Sequence, residues 1–321
     1  IISWCAHAVQ KPEIKPGVAL VMRSTEGTGK GTFVDLFGEI FGAHYLKVSN
    51  SDHLVGKFNA HLCANLLLFA DEARWAGDRS SEGILKSLIT EKEIMLEAKY
   101  FDAVPVDNFS KIIFASNMDW VVPAGKSDRR YMVFDLSADR ANEKEYFTAI
   151  RTEWKNGGKE AFFKFLMTYN LTEIDLINDR PNTSAMKEQK ELTMNPQEKW
   201  YQQLLIEGTF KSSEMSDPID LNENEKTEIN SDFLLQNYDQ FCKSQNVRHK
   251  LAKNDLSRFL SKHIPELART RKGISKTTYW VFPPLRDLRS QWDTDYNCKS
   301  DWKVPEQIED VAVAQISFLD Q

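Results

Sequence analysis

The first two thirds of the chain alternate short apolar runs with longer stretches in which apolar residues recur at helical spacing. Three runs, GVALVM, NLLLFA and KIIFAS, are almost wholly apolar, as strands are when helices cover both faces of a parallel sheet. A helical apolar face follows the first run and is formed by Phe33, Leu36, Phe37, Ile40 and Phe41. This order predicts an α/β core over 17–209, preceded by a helical lead-in over 1–16.

The pattern changes beyond residue 230. Two short amphipathic segments, DFLLQNYDQFCKSQ and KNDLSRFLSKHIP, predict helices, and ARTRKGISKTTYWVF predicts a β-hairpin with Gly273 at its turn. Helices followed by a basic hairpin are typical of winged-helix modules, in which a helix and the hairpin both meet DNA. We therefore predict a winged-helix-like module over 231–289. The acidic, polar stretch 210–230 is interpreted as a linker, and 290–321 as an acidic tail.

The net charge is unevenly distributed along the 321 residues. The formal total is −6, but the predicted module over 231–289 carries 12 Lys and Arg against 5 Asp and Glu. The stretches 212–228 and 290–321 carry 1 against 6 and 2 against 7. The acidic total therefore hides one basic segment, and binding of nucleic acid is not excluded by charge.

The remaining composition argues against metal modules, disulfide frameworks and membrane spans. The four cysteines contain no C-x-x-C pair, and the six histidines show no metal-ligand spacing. No run approaches the ~18 apolar residues that a membrane helix needs, and the amino end has no signal-peptide layout. The sequence predicts a soluble, cytoplasmic protein with reduced thiols.

The segment VMRSTEGTGKGTF, between the first predicted strand and helix, resembles a phosphate-binding loop. Such loops aim backbone N–H groups and a lysine at phosphate oxygens, and the candidate nucleotide-binding residues are Gly27, Thr28, Gly29, Lys30, Gly31 and Thr32. The pattern is degenerate, because Ser24 replaces the first glycine and Gly31 replaces the hydroxyl residue that usually binds magnesium. We hypothesise that Thr32 and Asp71 share the Mg²⁺ shell instead.

Polar residues end the next two predicted strands. Asp71 and Glu72 follow NLLLFA, where an aspartate can hold Mg²⁺ and a glutamate can deprotonate an attacking water. Asn117 follows KIIFAS, where its amide can position that water. Taken singly, the acidic pair is also compatible with a helix cap and the asparagine with a turn. In this order, the signals predict a site that hydrolyses ATP.

Two arginines precede a fourth predicted strand in SDRRYMVFDL. Either Arg129 or Arg130 is a candidate arginine finger, which stabilises the transition state by reaching the γ-phosphate bound by a neighbouring subunit. The alternative is a structural ion pair with Asp128.

This succession of motifs, GTGKGTF, LLLFADEA, EAKYFDAVPVDNFSKIIFASN and SDRRYMVFDL, resembles superfamily 3 helicases of the AAA+ class. It is similar in particular to the helicase part of phage and plasmid primase-helicases, over roughly residues 1–290. The resemblance implies a homohexameric ring that binds ATP and Mg²⁺ and moves along single-stranded DNA in its central channel. It also implies fusion to an upstream primase or polymerase domain, and, for a phage protein, a place in the infected host cell.

The same resemblance implies residue roles. Lys30 matches the lysine of the phosphate loop, Asp71 and Glu72 match the acidic pair, Asn117 matches the polar sensor, and Arg129 or Arg130 matches the finger. Lys99, in a hairpin before the sensor strand, matches a DNA-contacting lysine. Beside it Tyr100 and Phe101 are candidates for stacking on bases. In the basic module the candidate phosphate contacts are Arg269, Arg271, Lys272 and Lys276.

Two other functions fit parts of the pattern. A DNA-binding platform or loader would use ATP only to assemble a ring and would not unwind DNA. A nucleotide monophosphate kinase also carries a G-K-G-T loop, but the acidic pair and the asparagine favour hydrolysis by water over transfer to a second nucleotide.

Overall fold

The computed structural model describes residues 1–50, 52–72, 79–211, 217–274, 276–300 and 302. The chain divides into two compact units, Ile1–Thr193 and Met194–Gln321. The first unit has two hydrophobic cores and the second has one, and each unit is described here by itself.

The first unit is built on a parallel sheet. The strands described in this unit are β1 (Ala19–Arg23), β2 (Tyr45–Val48), β3 (Leu67–Asp71), β4 (Glu93–Leu96), β5 (Val104–Asp107), β6 (Lys111–Ser116) and β7 (Tyr131–Asp135). Five strands pair in parallel in the order β2-β3-β6-β1-β7, and β4 and β5 form an antiparallel pair of their own. The predicted α/β class with a parallel sheet is confirmed.

Helices cover both faces of this sheet. They are α1 (Ile2–Gln10), α2 (Lys30–Gly38), α3 (Asp52–Val55), α4 (Arg79–Thr90), α5 (Lys144–Glu153), α6 (Lys159–Thr168) and α7 (Ser184–Thr193). Alternate residues of one strand enter two different cores: in β1, Ala19 and Val21 face α4 and α7, whereas Leu20 and Met22 face α1, α2 and α6. This two-sided burial explains why the central strands are apolar throughout.

The second unit is a small α+β domain. Its elements are α8 (Pro196–Glu207), β8 (Thr209–Phe210), β9 (Ile219–Asp220), β10 (Thr227–Asn230), α9 (Ser231–Ser244), α10 (Lys253–His263), β11 (Ala268–Lys272), β12 (Thr277–Phe282) and α11 (Leu285–Tyr296). An antiparallel sheet runs in the order β10-β12-β11. The two helices and the hairpin with Gly273 at its turn, where φ is +76°, agree with the sequence prediction.

The boundary between the units differs from the predicted one at 209. Helix α8 starts with a reciprocal cap between Asn195 and Glu198, and Trp200 and Leu204 are buried in the core of the second unit. A helix joins the unit that buries its apolar face, and the periodicity of α8 does not say which unit that is. The division therefore falls after Thr193.

The predicted linker over 210–230 also needs correction. Phe210, Leu221 and Ile229 in this stretch are buried in the second core. Averaged over 210–230, the composition is acidic and polar and hides these three apolar residues. Their burial is nevertheless the main contribution of this stretch to the folding of the unit. The predicted acidic tail likewise begins inside α11, where Trp292 and Tyr296 are buried; residues 303–321 lie outside the described residues.

We expect Leu20→Ala to destabilise the first unit by about 2–5 kcal/mol, because Leu20 is 0% exposed in the central strand and its loss leaves a cavity. Ile84→Ala, on the exposed side of α4, is the matched control and should change stability by less than about 0.5 kcal/mol. Urea unfolding followed by circular dichroism measures both. Equal effects would contradict the burial described for β1.

Candidate functional site

The parallel sheet brings three predicted loops to one edge. Strand β6 lies between β1 and β3, and all three run in the same direction, so their carboxyl ends are adjacent. The phosphate-loop segment follows β1. Asp71 ends β3 and Glu72 follows it, and Asn117 follows β6. Ligands of open α/β sheets bind outside the carboxyl ends of the strands. The residues predicted to act together therefore share one edge.

The glycine-rich loop has the backbone that its sequence requires. Gly27 and Gly29 have φ values of +75° and +95°, and α2 begins immediately afterwards at Lys30. Both glycines are also closely approached. A Cβ on Gly27 would lie 2.0 Å from Asn142 Oδ1, and one on Gly29 would lie 2.5 Å from Phe147 Cε1. The loop is thus shaped by glycine at the positive end of a helix dipole, an arrangement suited to anions.

The ammonium of Lys30 lies inside this loop. Its Nζ donates to the Ser24 carbonyl and the Ser24 hydroxyl, both at 2.8 Å, and to the Thr25 carbonyl at 2.9 Å. Burial lowers the pKa of Lys30, and the charges of Asp71, Glu72 and Glu26 oppose this shift. The acidic residues of the neighbouring strands therefore act electrostatically on the loop lysine.

Asp71 makes an ion pair that the sequence did not indicate. Lys47 on β2 places its Nζ 2.9 Å from Asp71 Oδ2 and 3.4 Å from Asp35 Oδ2. Burial lowers the pKa of Lys47, but its hydrogen bond to Asp71 and the charges of Asp35 and Asp71 outweigh burial, so the net shift is upward. A lone lysine in a strand carries no motif, and only the pairing of β2 with β3 brings it to the acidic pair.

Glu72 and Asn117 are held by different contacts. Glu72 has a positive φ of 55°, which is costly for a residue with a Cβ, and its N–H donates to the Ala115 carbonyl of β6 at 2.9 Å. Asn117 donates from Nδ2 to Glu26 Oε1 in the phosphate loop at 3.2 Å. The predicted base and sensor thus lie at the edge where the loop begins.

The two predicted magnesium ligands have different partners. Thr32 Oγ1 accepts a hydrogen bond from Arg151 Nη2 at 3.2 Å, whereas Asp71 pairs with Lys47. Gly31 faces open space, since an added Cβ would meet no heavy atom within 4 Å. Within the described part of the chain, no contact joins Thr32 to Asp71, so the shared shell stays a hypothesis.

The arginine pair lies at the opposite edge of the sheet. The Ala19 N–H, at the start of β1, donates to the Arg130 carbonyl at 2.7 Å, whereas the phosphate loop follows the end of β1. Arg130 Nη1 lies 3.6 Å from Oδ2 of the buried Asp128, and its N–H donates to Asp128 Oδ1 at 2.8 Å. Arg129 is exposed and makes no ion pair with any residue that the structure describes.

Arg129 and Arg130 line a cavity of about 770 Å³ together with two lysines, Lys15 and Lys92. Lys15 Nζ donates to two neutral carbonyls, those of Leu88 and Ser110, and burial lowers its pKa to about 7, with the charge of Lys111 adding to the shift. Glu13 and Asp107 are acidic residues of the same lining. The cavity is therefore predominantly cationic.

The candidate DNA-contacting aromatics stand at the end of the β4–β5 hairpin. Tyr100 is 90% exposed and Phe101 77% exposed, and Lys99 Nζ lies 5.2 Å from the centre of the Tyr100 ring. Tyr100 also has a positive φ of 71°. Large aromatic side chains this exposed are unusual in a folded domain.

Two of the four basic candidates of the second unit already have partners. The Arg269 guanidinium stacks 3.9 Å from the centre of the buried Trp280 ring, and Lys272 forms an ion pair with Glu228. Arg271 and Lys276 lie exposed on the same hairpin. Arg269 thus contributes to the core surface as well as to charge, which sequence spacing could not distinguish.

Comparisons with known proteins identify a phage DNA primase-polymerase as a relative of this chain. A family model described as a family of unknown function, DUF5906, matches residues 22–130. A DNA primase-polymerase of Nitratiruptor phage NrS-1 is 28% identical over 207 residues, which is 63% of this chain and 28% of that protein. The chain is therefore related to this primase-polymerase and spans less than a third of its length.

Solved structures of the C-terminal region of NrS-1 have a similar fold. One apo structure superposes with a TM-score of 0.64 at 19% identity, over 88% of this chain and 70% of that chain. An A-form apo structure of the same region gives 0.62 at 20% identity, with the same coverage. Among the described residues, no helix is both long and apolar enough to cross a membrane.

We expect Gly29→Ala to destabilise the first unit and Gly31→Ala not to. Gly29 combines a positive φ with close contact to Phe147, so alanine there should cost on the order of 1–3 kcal/mol. Gly31 lies in the first turn of α2 with open space around it, so alanine should be neutral or stabilise by up to about 1 kcal/mol. Thermal unfolding measures the difference, and a similar cost at both positions would contradict the loop geometry.

Proposed function

We propose that this chain is the ATP-hydrolysing helicase module of a phage DNA-replication protein, with an AAA+ core and a winged-helix-like second unit. The observation that carries the proposal is the edge at which Lys30, Asp71 with Glu72, and Asn117 follow three adjacent parallel strands. The relationship to the NrS-1 primase-polymerase supports a role in replication, and the matching C-terminal region supports the same fold.

The residues at this edge fit a magnesium-bound triphosphate. The two left-handed glycines, the start of α2 and the Lys30 ammonium suit the phosphate oxygens. Mg²⁺ needs few protein ligands because it keeps waters and phosphate oxygens, so Asp71 suffices despite the missing hydroxyl at Gly31. When bound, Mg²⁺-ATP supplies the phosphoryl group that is transferred to water.

The chain's own groups divide the remaining work. Lys30 leaves its loop carbonyls for phosphate oxygens, which offer it full negative charge. Glu72 takes the proton of the attacking water, and Asn117, tethered to Glu26, positions that water. Lys47 pairs with the Asp71 carboxylate from the neighbouring strand and orients it.

Arg129 is the better candidate for the finger. Arg130 is occupied by the buried Asp128, whereas Arg129 is exposed in the cationic cavity. Because the pair lies at the amino edge of the sheet, Arg129 acts on a nucleotide bound by another copy of the chain. This requirement, together with the resemblance described above, favours a ring of subunits, for which six is the expected number.

DNA binding is assigned to two surfaces. In the channel, Lys99 contacts phosphates while the exposed rings of Tyr100 and Phe101 stack on bases. On the second unit, Arg271 and Lys276 contact phosphates without reading sequence. These exposed cations also favour the second candidate, a platform that assembles on DNA with ATP but does not unwind it.

Lys30→Ala and Glu72→Gln should each abolish both hydrolysis and unwinding. Removing a general base costs about 10²–10⁴ in rate, and removing Lys30 weakens phosphate binding as well. Phosphate release and unwinding of a forked duplex are measured, with Lys159→Ala, a surface lysine of α6, as control. If the unmodified chain hydrolyses ATP without unwinding DNA, the platform is favoured. If it transfers phosphate to AMP, a kinase is favoured.

Arg129→Ala should lower hydrolysis by about 10³ or more if Arg129 is the finger. An equimolar mixture with Lys30→Ala should recover activity, because some interfaces then combine an intact Lys30 with an intact Arg129. Arg258→Ala, an exposed arginine of α10, is the control. Arg130→Ala should chiefly lower stability, since it leaves the buried Asp128 carboxylate without its guanidinium. Full activity of Arg129→Ala would exclude it as the finger.

A further inference from the structure

An apolar cavity of about 450 Å³ adjoins the phosphate loop. Thr28, Gly29 and Thr32 form its polar end, where the loop passes into α2. The rest of the wall is mainly apolar and aromatic and includes Phe33, Leu136, Tyr146, Phe147, Ile150 and Trp154. A ligand whose phosphates lie in the loop can therefore place its next large group in this cavity.

The polar side chains of the wall are largely engaged with the protein. Trp154 Nε1 donates to Glu39 Oε2 at 2.8 Å, Thr32 Oγ1 accepts from Arg151, and Thr28 Oγ1 donates to the Thr25 carbonyl at 3.2 Å. The Tyr146 hydroxyl both donates and accepts, so it cannot distinguish an amino group from a carbonyl. Much of the wall comes from α2 and α5, whose interior backbone groups are paired within the helices.

Phe147 links this cavity to the loop. Its ring contacts Gly29 so closely that a Cβ there would lie 2.5 Å from Cε1. Tyr146 packs edge-on against Phe147, with ring centres 5.2 Å apart. A flat ring bound in the cavity would meet aromatic surface directly beside the phosphate cradle, and stacking on such surface does not depend on the hydrogen-bonding edge.

We propose that this cavity holds the base of the bound nucleoside triphosphate by apolar burial and stacking, without reading its edge. The substrate class is then purine nucleoside triphosphates in general, with ATP and GTP bound within about tenfold of each other. Pyrimidine nucleotides bind more weakly because they bury less ring area. This inference rests on the proposed function, since it assumes that the loop binds the triphosphate.

A binding site selects between adenine and guanine nucleotides through hydrogen bonds to the edge of the base. Sites that hydrogen-bond a substrate group reject analogues lacking it by about 10⁴–10⁵, because their own buried polar groups lose partners. A wall whose polar groups are already satisfied loses no partner when adenine is replaced by guanine. The second purine is therefore accepted.

The test is displacement of a ribose-labelled fluorescent ATP from the whole chain, with Mg²⁺ present. The competitors are ATP, GTP, CTP, UTP and inorganic tripolyphosphate. We expect ATP and GTP to compete within about tenfold, and tripolyphosphate, which has no base, to be at least about tenfold weaker. ATP binding with GTP rejected by about 100-fold or more would overturn the inference and leave the proposed function intact.

Variants then locate the base. Phe147→Ala and Ile150→Asn should each weaken ATP and GTP by the same factor and leave tripolyphosphate unchanged, which also shows that the loop remains folded. Phe163→Ala, an exposed phenylalanine of α6 outside the cavity, should change nothing. Unchanged nucleotide affinity in both cavity variants would overturn the inference, since the base then binds outside the cavity. If neither nucleotides nor tripolyphosphate bind, the proposed function itself fails.

Discussion

Parallel pairing of β6 between β1 and β3 organises the first unit. Backbone hydrogen bonds along these strands set Leu20 opposite Ile113 and Phe69 opposite the same residue on the other side. Because parallel strands end at one edge, this register delivers three loops from distant parts of the chain to one place. It also sends Arg129 and Arg130, which precede a strand, to the other edge.

Opposite charges at the phosphate-loop edge come from different elements of the fold. Lys30 from the loop is influenced by Asp71, Glu72 and Glu26, while Lys47 from β2 bridges Asp71 and Asp35. Lys30 and Glu26 share the phosphate loop, but the other pairs join residues from different segments, so these interactions exist only in the folded unit. The ammonium group of Lys47 thus connects α2, the helix that follows the phosphate loop, to β3, the strand that carries Asp71.

The second unit shows how averages over sequence mislead. The stretch over 210–230 is acidic overall, yet Phe210, Leu221 and Ile229 bury themselves in a core with residues of α8 and β12. Free energy of folding follows apolar area removed from water, and a few large side chains outweigh a run of solvated carboxylates. In the same unit, Arg269 lies over Trp280, so one residue of the basic segment serves packing as well as charge.

Local patterns in the amino-acid sequence are enough to predict the α/β class, the positions of the central strands, the glycine loop and the polar residues that follow each strand. These are local properties: burial on both faces requires apolar runs, and a left-handed turn requires glycine at 27 and 29. The exposed hairpin tip at Tyr100 and the turn at Gly273 were equally readable. The folded structure was needed to identify the partners of Asp71 and Thr32, the unit that α8 joins, and the apolar cavity beside Phe147. Each of these depends on contacts between segments far apart in the chain, and spacing along a sequence carries no record of which side chains meet across a fold.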